Sequence, residues 1–438
     1  RHKVLVFSGF NESDQYDNEL WEYDITTKIW SIVSTYNSPI NRLEAVLVYD
    51  SIRESVFLFG GTNDEDPSSA GYFNDTWEYT PSTSTWTQLQ PETSPSARGS
   101  SLAQFDESSG RVILFGGRQL NDTQSDEVSL NDTWAYDSYT QNWSQIDTAT
   151  APSPRHAAAM SYNPGNNTIL VFGGESKTGD ALPSLLNDLW SYNPATATWA
   201  ELSQVNRPNA RGGSAMVYDS DRKRFVLFAG RTGFDPLVVN NEHWELNPLT
   251  NSWTQVSTLG SPTAKCSFGM VYASSSKEII TYGGETQSSI LEETWDYKHT
   301  TNRWVPRANA NYEAPSARRG HAIVENPITN ELFLFGGYTW TIPVVDGIPN
   351  PDNAQVSMLN ETWTFSESEL RWTQDESFTG QPGPIANHQM VYTQRDNPSD
   401  NRVILFGGRT TVPAPDADAT EDNGYQGTTW SYNPNEVT

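Results

Sequence analysis

A single cysteine, Cys266, stands in 438 residues. That excludes an intrachain disulfide framework and any cluster of thiolate metal ligands. Basic residues are scarce: 27 Lys and Arg face 54 Asp and Glu, giving a net charge of −27 and a pI near 4.5. Nucleic-acid binding needs clustered cations for phosphate contacts, and anionic membrane surfaces make the same demand, so neither is an expected partner. Long apolar runs are missing as well, since none approaches the roughly 20 residues that a membrane-spanning helix needs. No Met and no signal peptide open the chain at Arg1, so it reads as a processed form or an excised fragment of a longer protein. A hydrophobic content of 36% and a mean hydropathy of −0.61 suit short strands joined by long polar loops.

What is abundant is tryptophan, and it is periodic. Fifteen of the 16 tryptophans fall on one lattice: Trp21/Trp30, Trp77/Trp86, Trp134/Trp143, Trp190/Trp199, Trp244/Trp253, Trp295/Trp304 and Trp363/Trp372, nine residues apart in each pair, and then Trp430. Ahead of each comes an apolar run ending in small residues, such as VLVFSG from Val4, VILFGG from Val112, FVLFAG from Phe225 and VILFGG from Val403. A repeat of this kind decides architecture before any local reading does. No linker interrupts it, so residues 1–438 are expected to form one domain.

Each repeat carries four strand signals. The first follows a basic residue, as in LEAVLVYD after Arg42. The second is the apolar run, rich in Val, Ile and Phe and buried on both faces. The third carries Trp-x-Tyr and the fourth the second Trp, with turn residues such as DITTK and TPSTS between them. Four antiparallel strands repeated radially make an all-β propeller. The paired small residues supply positive φ and close backbone approach at a strand end, and the tryptophans are expected in the core between blades.

The diglycine after an apolar strand, the LNDTW-like start of the third strand, the Tyr two residues after Trp and the nine-residue step to a second Trp resemble the kelch repeat, over nearly the whole chain. The resemblance implies four-stranded blades around a central channel. The second and third strands occur eight times, the first and fourth seven times. Eight blades with incomplete ends is the preferred reading. Seven blades, with the segment around Trp30 completing the last one, is the alternative.

Candidate sites follow from what recurs. A basic residue stands fourteen positions before the apolar run in six repeats, as Arg42, Arg98, Arg155, Arg211, Lys265 and Arg318, whereas the last repeat has no basic residue nearby and places Asn387 ahead of its first strand. A ring of these at one channel end would make a positive mouth. Kelch domains that capture acidic peptides with R-x-G arginines are similar, and Arg211-Gly212-Gly213 and Arg318-Arg319-Gly320 match, Arg98-Gly99-Ser100 in part. Bidentate pairing of arginine with carboxylate would carry it. The plainer reading pairs each cation with a blade-edge carboxylate or loop carbonyls. The loop 338–358 holds Trp340, the one tryptophan off the lattice, and is a candidate contact surface. Acidic loops from Thr62, Arg118 and Pro415 offer hard oxygens that suit Ca²⁺, yet none has EF-hand spacing. They read first as solvated faces, and no cofactor is expected. N-x-S/T triplets at Asn11, Asn74, Asn121, Asn131, Asn142, Asn166 and Asn360 suggest a glycosylated protein outside the cell or on its surface.

The expected function is a non-catalytic recognition or assembly module, binding a protein or glycan partner through its loop faces, within an extracellular or cell-surface assembly. The alternative is a carbohydrate-acting enzyme. Copper-radical oxidases of the galactose oxidase type and sugar mutarotases are built on kelch propellers. The oxidase would need residues such as Cys266, Tyr282, His156, His321 and His388, which exist here without an identifying spacing.

Overall fold

The structure, a computed structural model, describes residues 3–10, 16–24, 29–33, 37–40, 42, 44–62, 71–121, 126–179, 181–234, 236–307, 313–326, 329–341, 344–345, 348–349, 355–375, 382, 384, 386, 389–393 and 402–406. It is built almost wholly of short antiparallel strands. Six four-stranded sheets follow one another along the chain. Blade 1 is Val46–Asp50, Ser55–Phe59, Thr76–Thr80 and Thr85–Leu89. Blade 2 is Leu102–Asp106, Arg111–Phe115, Thr133–Asp137 and Asn142–Gln145. Blade 3 is Ala159–Asn163, Thr168–Ser176, Ser184–Asn193 and Thr198–Glu201. Blade 4 is Ala215–Asp219, Arg224–Phe234, Leu237–Asn247 and Ser252–Gln255. Blade 5 is Gly269–Ala273, Glu278–Tyr282, Thr294–Lys298 and Arg303–Pro306. Blade 6 is Ala322–Asn326, Glu331–Phe335, Thr362–Ser366 and Arg371–Gln374.

The ring is closed by a sheet drawn from both ends of the chain, and this corrects the expectation of eight blades. Gln389–Thr393 pairs with Arg402–Phe406, which pairs with Lys3–Phe10, then Tyr16–Asp24, then Ile29–Val33. Its inner strand touches the inner strands of blade 6 and blade 1. The junction of the two ends is parallel, with Val4 opposite Val403 and Phe7 opposite Phe406. Both strands are copies of the apolar second strand, so two copies share one sheet instead of starting two blades. Aromatic packing fixes the place of the N-terminal segment. The Trp30 indole donates to Thr362 Oγ1 of blade 6 at 3.0 Å, and Tyr23 stacks 5.2 Å from Phe333. Trp430 and Asn387 lie outside the described residues.

The second tryptophan of each pair is the inter-blade wedge. Trp143 of blade 2 is buried against Phe57 and Phe59 of blade 1, at 5.6 and 4.9 Å between ring centres. Its indole donates to Thr76 Oγ1, and Trp199 and Trp372 make the same bond to Thr133 and Thr294 of the preceding blades. The apolar second strands are fully buried between neighbours, as their unbroken hydrophobic pattern requires. The small residues that end them also have a backbone reason. A Cβ at Gly60 would stand 2.6 Å from the Arg98 carbonyl of the next blade. The second glycine of each pair holds φ between 97° and 109°, which L side chains rarely adopt. Ala229, at φ 56°, replaces only the first.

Truncating a wedge leaves a cavity between blades and a threonine hydroxyl without its donor. Trp143→Ala is expected to cost about 3–5 kcal/mol, read as a lowered denaturant midpoint. A loss below about 1 kcal/mol would show that the interface does not depend on it.

Candidate functional site

The recurring basic residues lie beside the strand ends that carry the diglycines, one to each of six blades, and the structure buries them. Arg98 shows the pattern. Its Nε donates to the Ser96 carbonyl at 3.0 Å, Nη1 donates to the Gly116 carbonyl at 3.2 Å, and Nη2 reaches Asp132 Oδ2 at 2.6 Å. Arg155 repeats this with Gly173 and Asp188, and Arg42 with Gly60 and Asp75. Arg211 and Arg318 do so with Ala229 and Glu242 and with Gly336 and Glu361. The carboxylate in each case stands two residues before the first tryptophan and also accepts its indole N–H, as Asp132 does from Trp134 at 2.7 Å. Arg98 thereby holds Asp132 below the usual carboxylate range, against the opposing effect of burial. The backbone carbonyl of the same arginine accepts from the preceding blade, as Gly61 N–H to Arg98 at 2.9 Å. These guanidinium groups therefore spend their donors within their own blade, while the arginine backbone ties it to the blade before, instead of opening as a positive mouth. The physical reason is the lattice carboxylate two residues before the first tryptophan, which takes the guanidinium inside the blade.

A second tier of charges, absent from the sequence reading, lies on the residues directly after the diglycines and one or two residues after the clamp arginines. Arg118 of blade 2 donates to Glu44, which precedes blade 1, at 2.6 Å and to Glu127 at 2.7 Å. Arg231 of blade 4 pairs with Glu175 of blade 3 at 2.6 Å. Arg319, ahead of blade 6, pairs with Glu285 of blade 5. The latches thus join blades 1 and 2, 3 and 4, and 5 and 6, and all six side chains are buried. His156, also buried, sits 3.0 Å from Ser129 Oγ and 3.6 Å from Glu175. Burial and the cations Arg118, Arg231 and Lys177 hold it well below the ordinary histidine range. The signal was present in the sequence: at the position after the diglycine an otherwise uniform repeat reads Thr62, Arg118, Glu175, Arg231, Glu285 and Tyr338.

Around this end, hairpins between the second and third strands rise past the diglycines. In blades 3 and 4 the strands simply continue, with a register shift after Phe172 and after Phe228. Blade 2 has a separate hairpin, Arg118–Leu120 with Glu127–Ser129. The candidate loop of blade 6 is a hairpin too, pairing Tyr338–Thr341 with Gln355–Met358 and placing Trp340 opposite Val356. The acidic loop centres 63–70 and 122–125, the 415–424 loop and Asn11 lie outside the described residues.

Among the described residues, those that the oxidase would need do not gather into a metal-binding group. The Tyr282 hydroxyl is within hydrogen-bonding reach of the Ser316 carbonyl at 3.0 Å, and burial pushes it above its ordinary range. Cys266 Sγ lies 3.4 Å from Glu285 Oε1. Tyr282 and His321 rings meet edge to face at 5.5 Å, and His388 lies outside the described residues. Among the described residues no group of three or more His, Cys, Asp and Glu side chains is arranged to hold a metal ion.

Blade 5 breaks the clamp. Lys265 takes the arginine's place, fully buried, and its Nζ has no hydrogen-bond partner among the described residues. It lies 5.2 Å from the Phe268 ring. Glu293, its expected partner, bonds Thr263 and Trp295 instead. Burial pushes the ammonium down to about 7, with Glu293 opposing. A folded pKa below the unfolded value means that the protonated amine destabilises the fold below about pH 7 and that this cost fades as pH rises toward 10.5. Lys265→Met, close in volume and uncharged, should therefore be more stable than the parent by on the order of 2 kcal/mol at neutral pH. The gain should shrink toward pH 10, measured by denaturant unfolding across pH. A gain independent of pH would assign the effect to packing.

Comparison with known proteins agrees with this architecture. The KLHDC2/KLHL20/DRC7 Kelch-repeats domain model matches residues 1–203 and 148–337. Kelch domain-containing protein 10 of Xenopus laevis is 26% identical over 304 residues, 66% of this chain and 67% of that protein. Kelch domain-containing protein 1 of Mus musculus is 26% identical over 321 residues, 67% of this chain and 75% of that protein. A protein of Thlaspi arvense named N-(sulfonatooxy)prop-2-enimidothioate sulfolyase is 27% identical over 252 residues, 54% of this chain and 68% of its own length. With the diglycine strands, the paired tryptophans and the blade topology in place, the chain belongs to the kelch-repeat family.

Proposed function

We propose that this chain is a non-catalytic recognition module that grips a protein partner among the hairpins at the diglycine end of the channel. The observation that carries the reading is the exposure of aliphatic side chains on those hairpins. Leu182 at the turn of the blade 3 hairpin and Val238 on that of blade 4 both stand in solvent, although each belongs to a hairpin anchored by a long register of backbone bonds. A rigid scaffold presenting apolar side chains on projecting loops is the arrangement that protein recognition uses. The latch ion pairs beneath keep the hairpin bases fixed, which lowers the ordering cost of binding. The lyase name of the Thlaspi arvense relative raises a catalytic reading, and for this chain the expectation is binding without turnover.

The test is gentle purification of the full chain from its native source, with identification of what co-elutes. One protein is expected in stoichiometric amount, and Leu182→Asp with Val238→Asp should reduce its recovery at least about tenfold while leaving the thermal midpoint unchanged. Recovery of no protein partner, or undiminished recovery by the double variant, would sink the reading.

An extracellular or cell-surface location belongs to the same proposal and rests on the N-x-S/T triplets. Asn74, Asn131 and Asn166 are exposed, whereas the Asn121 amide donates to Asp126 at 2.9 Å. Mass spectrometry of the native protein is expected to find glycans at the first three and little at Asn121. Unmodified asparagine at all three would place the protein elsewhere.

A further inference from the structure

The charge of this chain is unevenly divided. Residues 202–307, which are blades 4 and 5 with their leading linkers, carry 11 Lys and Arg against 10 Asp and Glu. That is a net of +1, and since the whole chain carries −27, the remainder holds −28. The same stretch contains no N-x-S/T triplet, and none occurs anywhere between Asn166 and Asn360.

The outer rim of these two blades is also built differently. The linker entering each blade lies along its outermost strand. In blades 2 and 3 a threonine hydroxyl makes the attachment, Thr93 to the Trp143 carbonyl and Thr150 to the Trp199 carbonyl. In blades 4 and 5 the linker backbone itself pairs in parallel with that strand. Val205 N–H donates to Asn251 and Trp253 N–H donates to Val205, and Leu259 repeats this with Asn302 and Trp304 at 2.8 and 3.0 Å. The side chains at these equivalent positions stand in solvent, Val205 at 55% and Leu259 at 64% exposure. Leu249, two residues before Asn251 in the neighbouring turn, is 91% exposed. Exposed Arg207 and Arg303 flank them.

We propose that the rim of blades 4 and 5 is a self-association surface, on which a second copy of this chain docks with Val205, Leu249 and Leu259 in the contact. Charge decides the occupant. Apart from blade 3 with its linker, residues 148–201, which carry 2 Lys and Arg against 4 Asp and Glu, two copies meeting through another sector would bring strongly negative surfaces together, a repulsion that acts within the Debye length of about 8 Å. The near-neutral sector is where two copies meet without that repulsion, and a two-fold contact places each rim against its own kind. This surface lies on the outer edge of the ring and is separate from the hairpins assigned above to a protein partner.

Sedimentation equilibrium of the full chain tests it. A monomer–dimer equilibrium is expected, tightening as salt rises from about 0.05 to about 0.5 M because salt screens the residual acidic repulsion. Val205→Asp with Leu259→Asp should weaken it at least about tenfold, as should Leu249→Asp, which lies in a turn and keeps every backbone pair. Tyr139→Asp, at an exposed position on blade 2, should leave it unchanged. A chain that stays monomeric at all concentrations and salts overturns the proposal. So does association that the rim variants leave intact, or that Tyr139→Asp weakens equally.

Discussion

The buried guanidinium of the clamp arginine is the interaction on which the rest of this structure depends. One side chain takes the carbonyl that ends the second strand, the carboxylate that starts the third and its own linker, while its backbone carbonyl accepts from the blade before. A buried charge of this kind is tolerable only when it is paired and hydrogen-bonded, and in five blades each guanidinium nitrogen of the clamp has an acceptor. The glycine pair is part of the same device. It lets the strand end turn so that its carbonyl faces the guanidinium, and it lets the next blade's backbone come within bonding distance.

The six four-stranded blades were legible because their signals are local. The run from Val112 became Arg111–Phe115, and the Trp-x-Tyr of the third strand became Thr133–Asp137. Closure was not legible, because VLVF at the start and VILF near the end are chemically interchangeable. Counting copies cannot say whether two such strands open two blades or lie side by side in one. The clamp was half legible. Its spacing showed recurrence, but recurrence does not tell an inward side chain from an outward one. The carboxylate two residues before each first tryptophan, from Asp75 to Glu361, was in the same lattice and names the partner. The latch charges hid for the opposite reason: they vary where everything else repeats.

Blade 5 and the rim of blades 4 and 5 show where the repeat has been relaxed. Lys265 lacks the fork that would reach both the carbonyl and the carboxylate, so its blade is held there by backbone bonds and packing, with Lys265 N–H donating to Asn240 and its carbonyl accepting from Gly230. Blade 4 carries Ala229 where the other five blades have the first glycine. These departures leave the propeller intact because each interface is secured several times over, by a wedge tryptophan, by backbone bonds between blades and, for alternate pairs, by a latch.

The parallel seam between Val4 and Val403 has a consequence for how the molecule comes into being. Every blade pairs strands that are near neighbours along the chain, so each can form with a small loss of loop entropy. The seam joins residues about four hundred apart, the most distant strand pairing among the described residues, and closing so long a loop is entropically the least favourable step. Loop entropy alone therefore sets the joining of the two ends after the forming of the blades, and makes the seam the joint expected to open first.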